Sequence, residues 1–226
     1  MRILAIDTAL DACSAGVFDT ERDRMLAVQS REIGRGHAEL LLPLVNEVMN
    51  SADATFDSLD RIAVTVGPGS FTGLRVGLSA ARGFALVAKK PAVGVSTLAA
   101  LTAPLITENE AVPVVAVVDA KHGNLYMQMV GAGGRLLVAP RAMSLREAVR
   151  SVALGPVRIV GNGAAILAAH WPAKAPAPVL VDPRPAPDIL WVARIGAAAD
   201  PNRAKPSPLY LRVPDAKPFT QQVQRQ

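Results

Sequence analysis

Apolar and polar positions change period several times along the 226 residues, and each change marks an element. RILAID (Arg2–Asp7) is a short apolar run bounded by polar residues and reads as a buried strand. Ala12–Phe18 and Met25–Gln29 read as two more strands, with the polar cluster Asp19–Arg24 as the hairpin turn between them. Gly34-Arg35-Gly36 interrupts the pattern. His37–Met49 then follows a helical period, with Pro43 inside it predicting a kink. Arg61–Val66 is a strand, Gly67–Ser70 a loop, Phe71–Ala88 a long helix, Pro91–Val95 a strand and Thr97–Leu105 a helix. Three antiparallel strands followed by alternating helices and parallel strands is the plan of a ribonuclease-H-like lobe.

A second block follows the polar stretch Thr107–Glu110. Val112–Asp119 is a continuous apolar strand, Lys121–Asn124 a turn, Leu125–Val130 a strand, Gly131–Gly134 a turn and Leu136–Ala139 a strand. Ser144-Leu145-Arg146-Glu147 fits a capping box and predicts a helix to about Val152. Val157–Val160 is a strand running into Gly161-Asn162-Gly163. Pro172–Pro187 reads as a linker with a short strand near Val179–Val181, and Asp188–Ala199 as a final helix. Asp200–Pro208 is a loop, Leu209–Val213 is strand-like, and the polar tail Pro214–Gln226 frays. The division expected is an N-terminal lobe over 1–106, completed by part of 200–226, and a smaller lobe over 107–199.

Composition narrows the classes. With 50% hydrophobic and 19% charged residues, the chain is a folded one. No apolar run reaches the roughly 18 residues of a membrane helix, so no membrane association is expected. MRILAID enters a strand directly, which argues against a secretory signal. The single cysteine, Cys13, excludes an intrachain disulfide and a Cys-rich zinc site, and fits a reducing cytoplasm. The net charge is +5, but the basic residues look scattered and aromatic residues are few, so a dedicated nucleic-acid-binding domain is not expected.

The most informative stretch is VGPGSFTGLR (Val66–Arg75), where a strand runs into a glycine-rich loop that opens a helix. Such a loop suits an anion. The spacing nevertheless fails both the Walker A pattern and the dinucleotide fingerprint, because Thr72 stands where glycine is required and no lysine follows. The competing reading is a tight turn with Ser70 as N-cap. In the helix that follows, Gly73, Gly77, Ala80, Ala81 and Phe84 share one face, and Arg75, Ser79 and Arg82 lie opposite. Two glycines on a helix face point to close approach of another helix, either His37–Met49 or one across a subunit boundary. The first helix carries Leu40, Leu41, Leu44 and Val48 among apolar residues that cover more than one face, as if it packed on the core and on something else.

Candidate carboxylates are Asp7 and Asp119, each ending an apolar strand that begins a lobe. Kinases and ATPases hold Mg²⁺ and activate a nucleophile with carboxylates so placed. After Asp7, however, Thr8-Ala9-Leu10 crowds the approach of a phosphate. No histidine of His37, His122 and His170 has a second ligand at i+3 or i+4, so no metal site is expected. Ser70 does not sit in a nucleophile elbow, and Cys13 reads as packing.

MRILAIDTALDACSAGVF, GRGHAELLLPLVNEVM and VGPGSFTGLRVGLSAARGFALVAKKPAVGVSTLAAL closely resemble the TsaB family, and VVAVVDAKHGNLYMQMV and PSPLYLRV add to the resemblance. It is strong over Met1–Leu101 and weak from Gly131 to Pro206. It implies an α/β, two-lobed actin/hexokinase/Hsp70-like fold of ribonuclease-H-like lobes, each a mixed sheet flanked by helices. It also implies a non-catalytic subunit that activates a TsaD-type transferase. That partner forms N6-threonylcarbamoyladenosine next to the anticodon of tRNAs reading ANN codons. A TsaE-type ATPase joins the pair, ATP and Mg²⁺ are used by the complex and not by this chain, and tRNA is met through the complex. Alone, such a chain is expected to form a homodimer. The implied partner-facing residues are Leu40, Leu41, Leu44 and Val48 of the first helix and Gly73, Arg75, Val76, Gly77, Ala80, Arg82 and Phe84 of the second. The alternative is an ATP-dependent phosphotransferase or ATPase using Asp7 and Asp119, with Gly69 and Ser70 on the nucleotide.

Overall fold

A computed structural model of the chain describes residues 1–107 and 111–212. The expected polar stretch after Thr107 and the expected frayed tail lie outside the described residues. In the first half, β1 (Arg2–Asp7), β2 (Ala12–Asp19) and β3 (Arg24–Glu32) form the meander. They are followed by α1 (His37–Ser51), β4 (Arg61–Gly67), α2 (Phe71–Ala88), β5 (Ala92–Ser96) and α3 (Thr97–Ile106). The second half repeats the order with β6 (Val114–Asp119), β7 (Asn124–Val130), β8 (Leu136–Ser144), α4 (Leu145–Val152), β9 (Arg158–Val160), α5 (Ala164–Ala169), β10 (Leu180–Asp182) and α6 (Ile189–Ala198). The sheets run β3-β2-β1-β4-β5 and β8-β7-β6-β9-β10, so both place a hairpin pair beside two parallel strands. This repeated topology is the two-lobed actin/hexokinase/Hsp70-like architecture.

The strand period of two decides the layers. Leu4 and Ile6 of β1 face α1 and α2, whereas Ile3 and Ala5 face α6. In β6, Val115 and Val117 face α4 and α5, whereas Val114, Ala116 and Val118 face α3. Each half therefore sends its last helix to the other half's sheet. Leu98, Leu101 and Leu105 of α3 cover the second sheet, while Ile189, Val192 and Ala193 of α6 cover the first. The result is five layers, with α3 and α6 in contact between the sheets.

Each exchanged helix is held at its C-terminus by an arginine of the host lobe. Arg61, opening β4, reaches the carbonyls of Gly196, Ala197 and Ala199 at 2.7–2.9 Å. Arg158, opening β9, donates to the Leu105 and Val112 carbonyls at 3.0 Å. A guanidinium there satisfies carbonyls that the helix leaves open and meets the negative end of its dipole.

Several expectations change. The lobe expected over 107–199 loses its last helix to the first sheet, because the apolar stripe of α6 matches Ile3, Ala5 and Val93. Helix α1 does hold Pro43 inside it, as expected. Leu209–Arg212 forms no strand, although Leu209 N donates to Val66 O at 2.7 Å and ties that segment to β4. Helix α5 was not anticipated. Among the described residues, no helix is long and apolar enough to cross a membrane.

Candidate functional site

The strand ends singled out for chemistry converge on the cleft between the lobes, a cavity of about 410 Å³. Gly69, Ser70 and Asp119 line it, whereas Asp7 lies buried behind it. Asp7 Oδ1 accepts from Thr65 Oγ1 at 2.6 Å and from Ala9 N at 3.1 Å, and Oδ2 has no hydrogen-bond partner. Burial pushes this carboxyl up to about 6, against the Thr65 and Ala9 hydrogen bonds and the charge of His37, which all favour ionisation. The carboxylate is fully enclosed by the chain.

The loop that could have taken a phosphate is closed by the turn after β1. Ser70 N donates to Ala9 O at 2.7 Å, and Ser70 Oγ accepts from Gly73 N at 3.2 Å as the expected N-cap. Gly69 lies against the Ala9 backbone so closely that an added Cβ would overlap the carbonyl. Asp119 accepts from Lys121 Nζ at 2.9 Å and from Lys121 N at 2.8 Å. Asn162 spans the cleft, accepting from Asp119 N at 3.0 Å and donating to Asp11 Oδ2 at 3.4 Å. Among the described residues, no group of three or more His, Cys, Asp or Glu side chains could hold a metal ion. Cys13 is buried in β2, and burial, with the charge of Asp7, pushes its thiol up to about 11. His37 donates Nε2–H to Leu10 O at 3.0 Å, fastening the start of α1 to the same turn.

The partner-facing set divides by position. Leu41, Leu44 and Val48 belong to the chain's own core. Gly73 and Gly77 are also internal: Cβ atoms there would overlap the Thr8 carbonyl and the Thr8 hydroxyl. Their reason is close passage of α2 over the β1 turn, where Thr8 Oγ1 donates to Gly73 O at 2.8 Å, and not a helix from outside. Leu40, Val76, Ala80 and Phe84 are half-buried, and Phe84 stacks on Phe56 at 5.1 Å. Arg75 and Arg82 are exposed: Arg75 covers the Phe71 ring at 3.7 Å, and Arg82 Nη2 donates to Pro206 O at 2.6 Å. Between α1 and α2 runs a groove of about 580 Å³ lined by Leu42, Val76, Ser79 and Ala80 among others. Leu42 is 58% exposed, Leu86 80% and Val87 70%. The proposed set omitted all three. The face of Arg75, Ser79 and Arg82, continued by one turn, reaches Leu86 and would have found it.

Over residues 27–153, more than half of the chain, the sequence matches the family described as TsaD, tRNA N6-adenosine threonylcarbamoyltransferase. It is 37% identical over 126 residues to the tRNA threonylcarbamoyladenosine biosynthesis protein TsaB of Escherichia coli, covering 56% of this chain and 53% of that one. The chain belongs to the TsaB branch of this family. The match spans about half the length of that curated TsaB relative. An uncharacterized protein of Mycobacterium tuberculosis is 34% identical over 220 residues, 96% of this chain and 94% of that one. YeaZ from Pseudomonas aeruginosa superposes with a TM-score of 0.74 at 28% identity, covering 93% of this chain and 99% of that one. The family match thus runs from the first lobe into the second, and the structural likeness covers nearly the whole chain.

Proposed function

We propose that the protein is a non-catalytic subunit of the machinery that makes N6-threonylcarbamoyladenosine on tRNA. It binds a TsaD-type transferase through the outer faces of α1 and α2. The observation that carries this reading is a contrast. The cleft's carboxylates and loop donors are held by neighbouring residues of the chain, while Leu42 is exposed in an apolar groove between α1 and α2, and Leu86 and Val87 are exposed near the end of α2. Exposed apolar surface of that kind marks interaction sites. The names of the relatives and the matching family support the pathway. In this reading the same helices pair two copies when the partner is absent, a TsaE-type ATPase joins in the cytoplasm, and ATP and Mg²⁺ serve the complex. The tRNAs are those reading ANN codons.

Light scattering on a sizing column tests it. The chain alone should run as a homodimer, and adding the TsaD-type subunit should replace that species with a 1:1 complex. Leu42→Asp with Val87→Asp should weaken both by about a hundredfold, since each change places a charge in a buried apolar contact. Absence of a complex at micromolar concentration, or a complex indifferent to the double variant, would overturn the proposal.

A further inference from the structure

The positive charge that looks scattered along the chain is concentrated by the fold. Residues 131–181 hold six of the 24 Lys and Arg and one of the 19 Asp and Glu, so the remainder is balanced at 18 of each sign. The entire net charge of +5 belongs to this stretch. Arg158 is internal, but Arg135, Arg141, Arg146, Arg150 and Lys174 are all exposed. Among the described residues, none of these five has a carboxylate within 4 Å. The one acid, Glu147, accepts from Ser144 N and Oγ at 2.9 and 2.7 Å in the capping box, and Arg141 is near enough to influence it.

The elements set Arg141, Arg146 and Arg150 on one side of the second sheet. Ala148, Val149 and Val152 turn α4 inward, which leaves Arg146, Glu147 and Arg150 as its exposed positions. Arg146 and Arg150 are one turn apart, about 6 Å along the axis. Arg141 shares a strand face with Met143, which packs in the core beneath α4, so the pleat puts it on the α4 side of the sheet. Arg135 lies just before β8, at the opposite end of that strand from Met143. Strand β8 is a sheet edge, where charge deters pairing with other chains. That accounts for Arg135 and Arg141 but not for the pair on α4.

We infer that the outer face of the second lobe, α4 with the adjoining edge strand β8, binds the sugar–phosphate backbone of an RNA and gives this chain its own share of the contact with tRNA. This rests on the proposed function. Four of the five cations are guanidiniums, whose planar forks match phosphate oxygens two at a time. Helix α4 itself exposes no apolar side chain, and the exposed leucines nearby, Leu136 and Leu137 at the start of β8 and Leu154 beyond α4, lie outside the Arg141, Arg146 and Arg150 positions. No aromatic side chain lies among them, so the contact reads backbone and not base sequence. Three or four phosphate contacts are too few for tight binding by the chain alone, and the effect belongs to the assembled complex.

The experiment uses the complex with the TsaD-type subunit and measures tRNA affinity by fluorescence anisotropy across a salt series. Arg141→Gln, Arg146→Gln and Arg150→Gln together should lower affinity about ten- to a hundredfold and reduce the salt slope by about 2 to 3. The three Arg→Lys changes should keep most of the slope. Removing charge from the first lobe, with Arg22→Gln and Arg24→Gln, should change neither. Assembly, followed on the sizing column, should be the same in every variant. An assembled triple variant that binds tRNA with unchanged slope overturns the inference and leaves the proposed function standing. Failure of the wild-type chain to assemble strikes the proposed function instead. Loss of an ATPase subunit with tRNA binding intact would assign the patch to an acidic protein and also overturn the inference.

Discussion

Arg61 and Arg158 occupy the same place in the two lobes, at the start of the fourth strand of each, and each clasps the helix that the other lobe sends across. The strand ends above them have diverged. Asp7 is sealed against Thr65, while Asp119 sits in the cleft beside Lys121. The outer layers have diverged further, apolar and groove-bearing over α1 and α2, cationic over α4. What the two halves share holds the molecule together. What they do not share is surface, and surface is where interaction roles are built.

The comparison breaks most visibly at the clasps. Arg158→Leu should destabilise the chain by about 3–4 kcal/mol, because it strips charge-assisted hydrogen bonds from buried carbonyls. Arg61 is only half-buried, and Arg61→Leu should cost about 2 kcal/mol. Urea unfolding followed through Trp171 in the second lobe and Trp191 on α6 measures both. If the two probes give separate midpoints in wild type, the lobes are not mutually clasped and the comparison fails.

The strand ends sharpen it next. Asp7 is held protonated to about pH 6, against an ordinary value of 3.8. Between about pH 4 and 6 the unfolded chain releases this proton and the folded chain keeps it, so stability falls as pH rises through that window. The loss reaches about 3 kcal/mol above it. Asp7→Asn should flatten that part of the profile. Asp119→Asn, which disturbs a solvent-facing pair, should change stability by less than about 1 kcal/mol. A thermal-melt series from pH 4 to 7 decides, and an unchanged slope in Asp7→Asn would refute the assignment.

The smallest test lies within one helix. Gly73→Ala would drive a methyl into the Thr8 carbonyl and should cost about 2–3 kcal/mol. At Gly83 an added Cβ meets nothing, and Gly83→Ala should stabilise the free chain by up to about 1 kcal/mol. Equal effects in chemical denaturation would mean that the two faces of α2 had been confused.

That confusion is where reading from sequence stopped. The order of strands and helices, the Ser70 cap and the Ser144–Glu147 box were legible, because each depends on residues a few positions apart. The inward face of α2 was not. Glycine spacing shows that something comes close, but only the tertiary path shows that it is the turn at Thr8. Helix α5, AAILAA between glycines, is too short and too uniform to show a period. The exchange of α3 and α6 was hidden for a similar reason, since an apolar stripe does not name the sheet it covers. The sealing of Asp7 was half-visible in Ala9 and Leu10, while its hydroxyl partner lies 58 residues away at Thr65.

The exchange of helices has a consequence during synthesis. The first sheet is complete once β5 has emerged, but its inner face, with Ile3, Ala5 and Val93, waits for α6. About 90 residues separate the end of α3 from the end of α6, so on a ribosome adding roughly 5–20 residues per second that face stays bare for about 5–20 s. For that interval the nascent first lobe presents an apolar sheet surface to the cell, and a pause or truncation before Ile189 would leave it a substrate for chaperones and proteases.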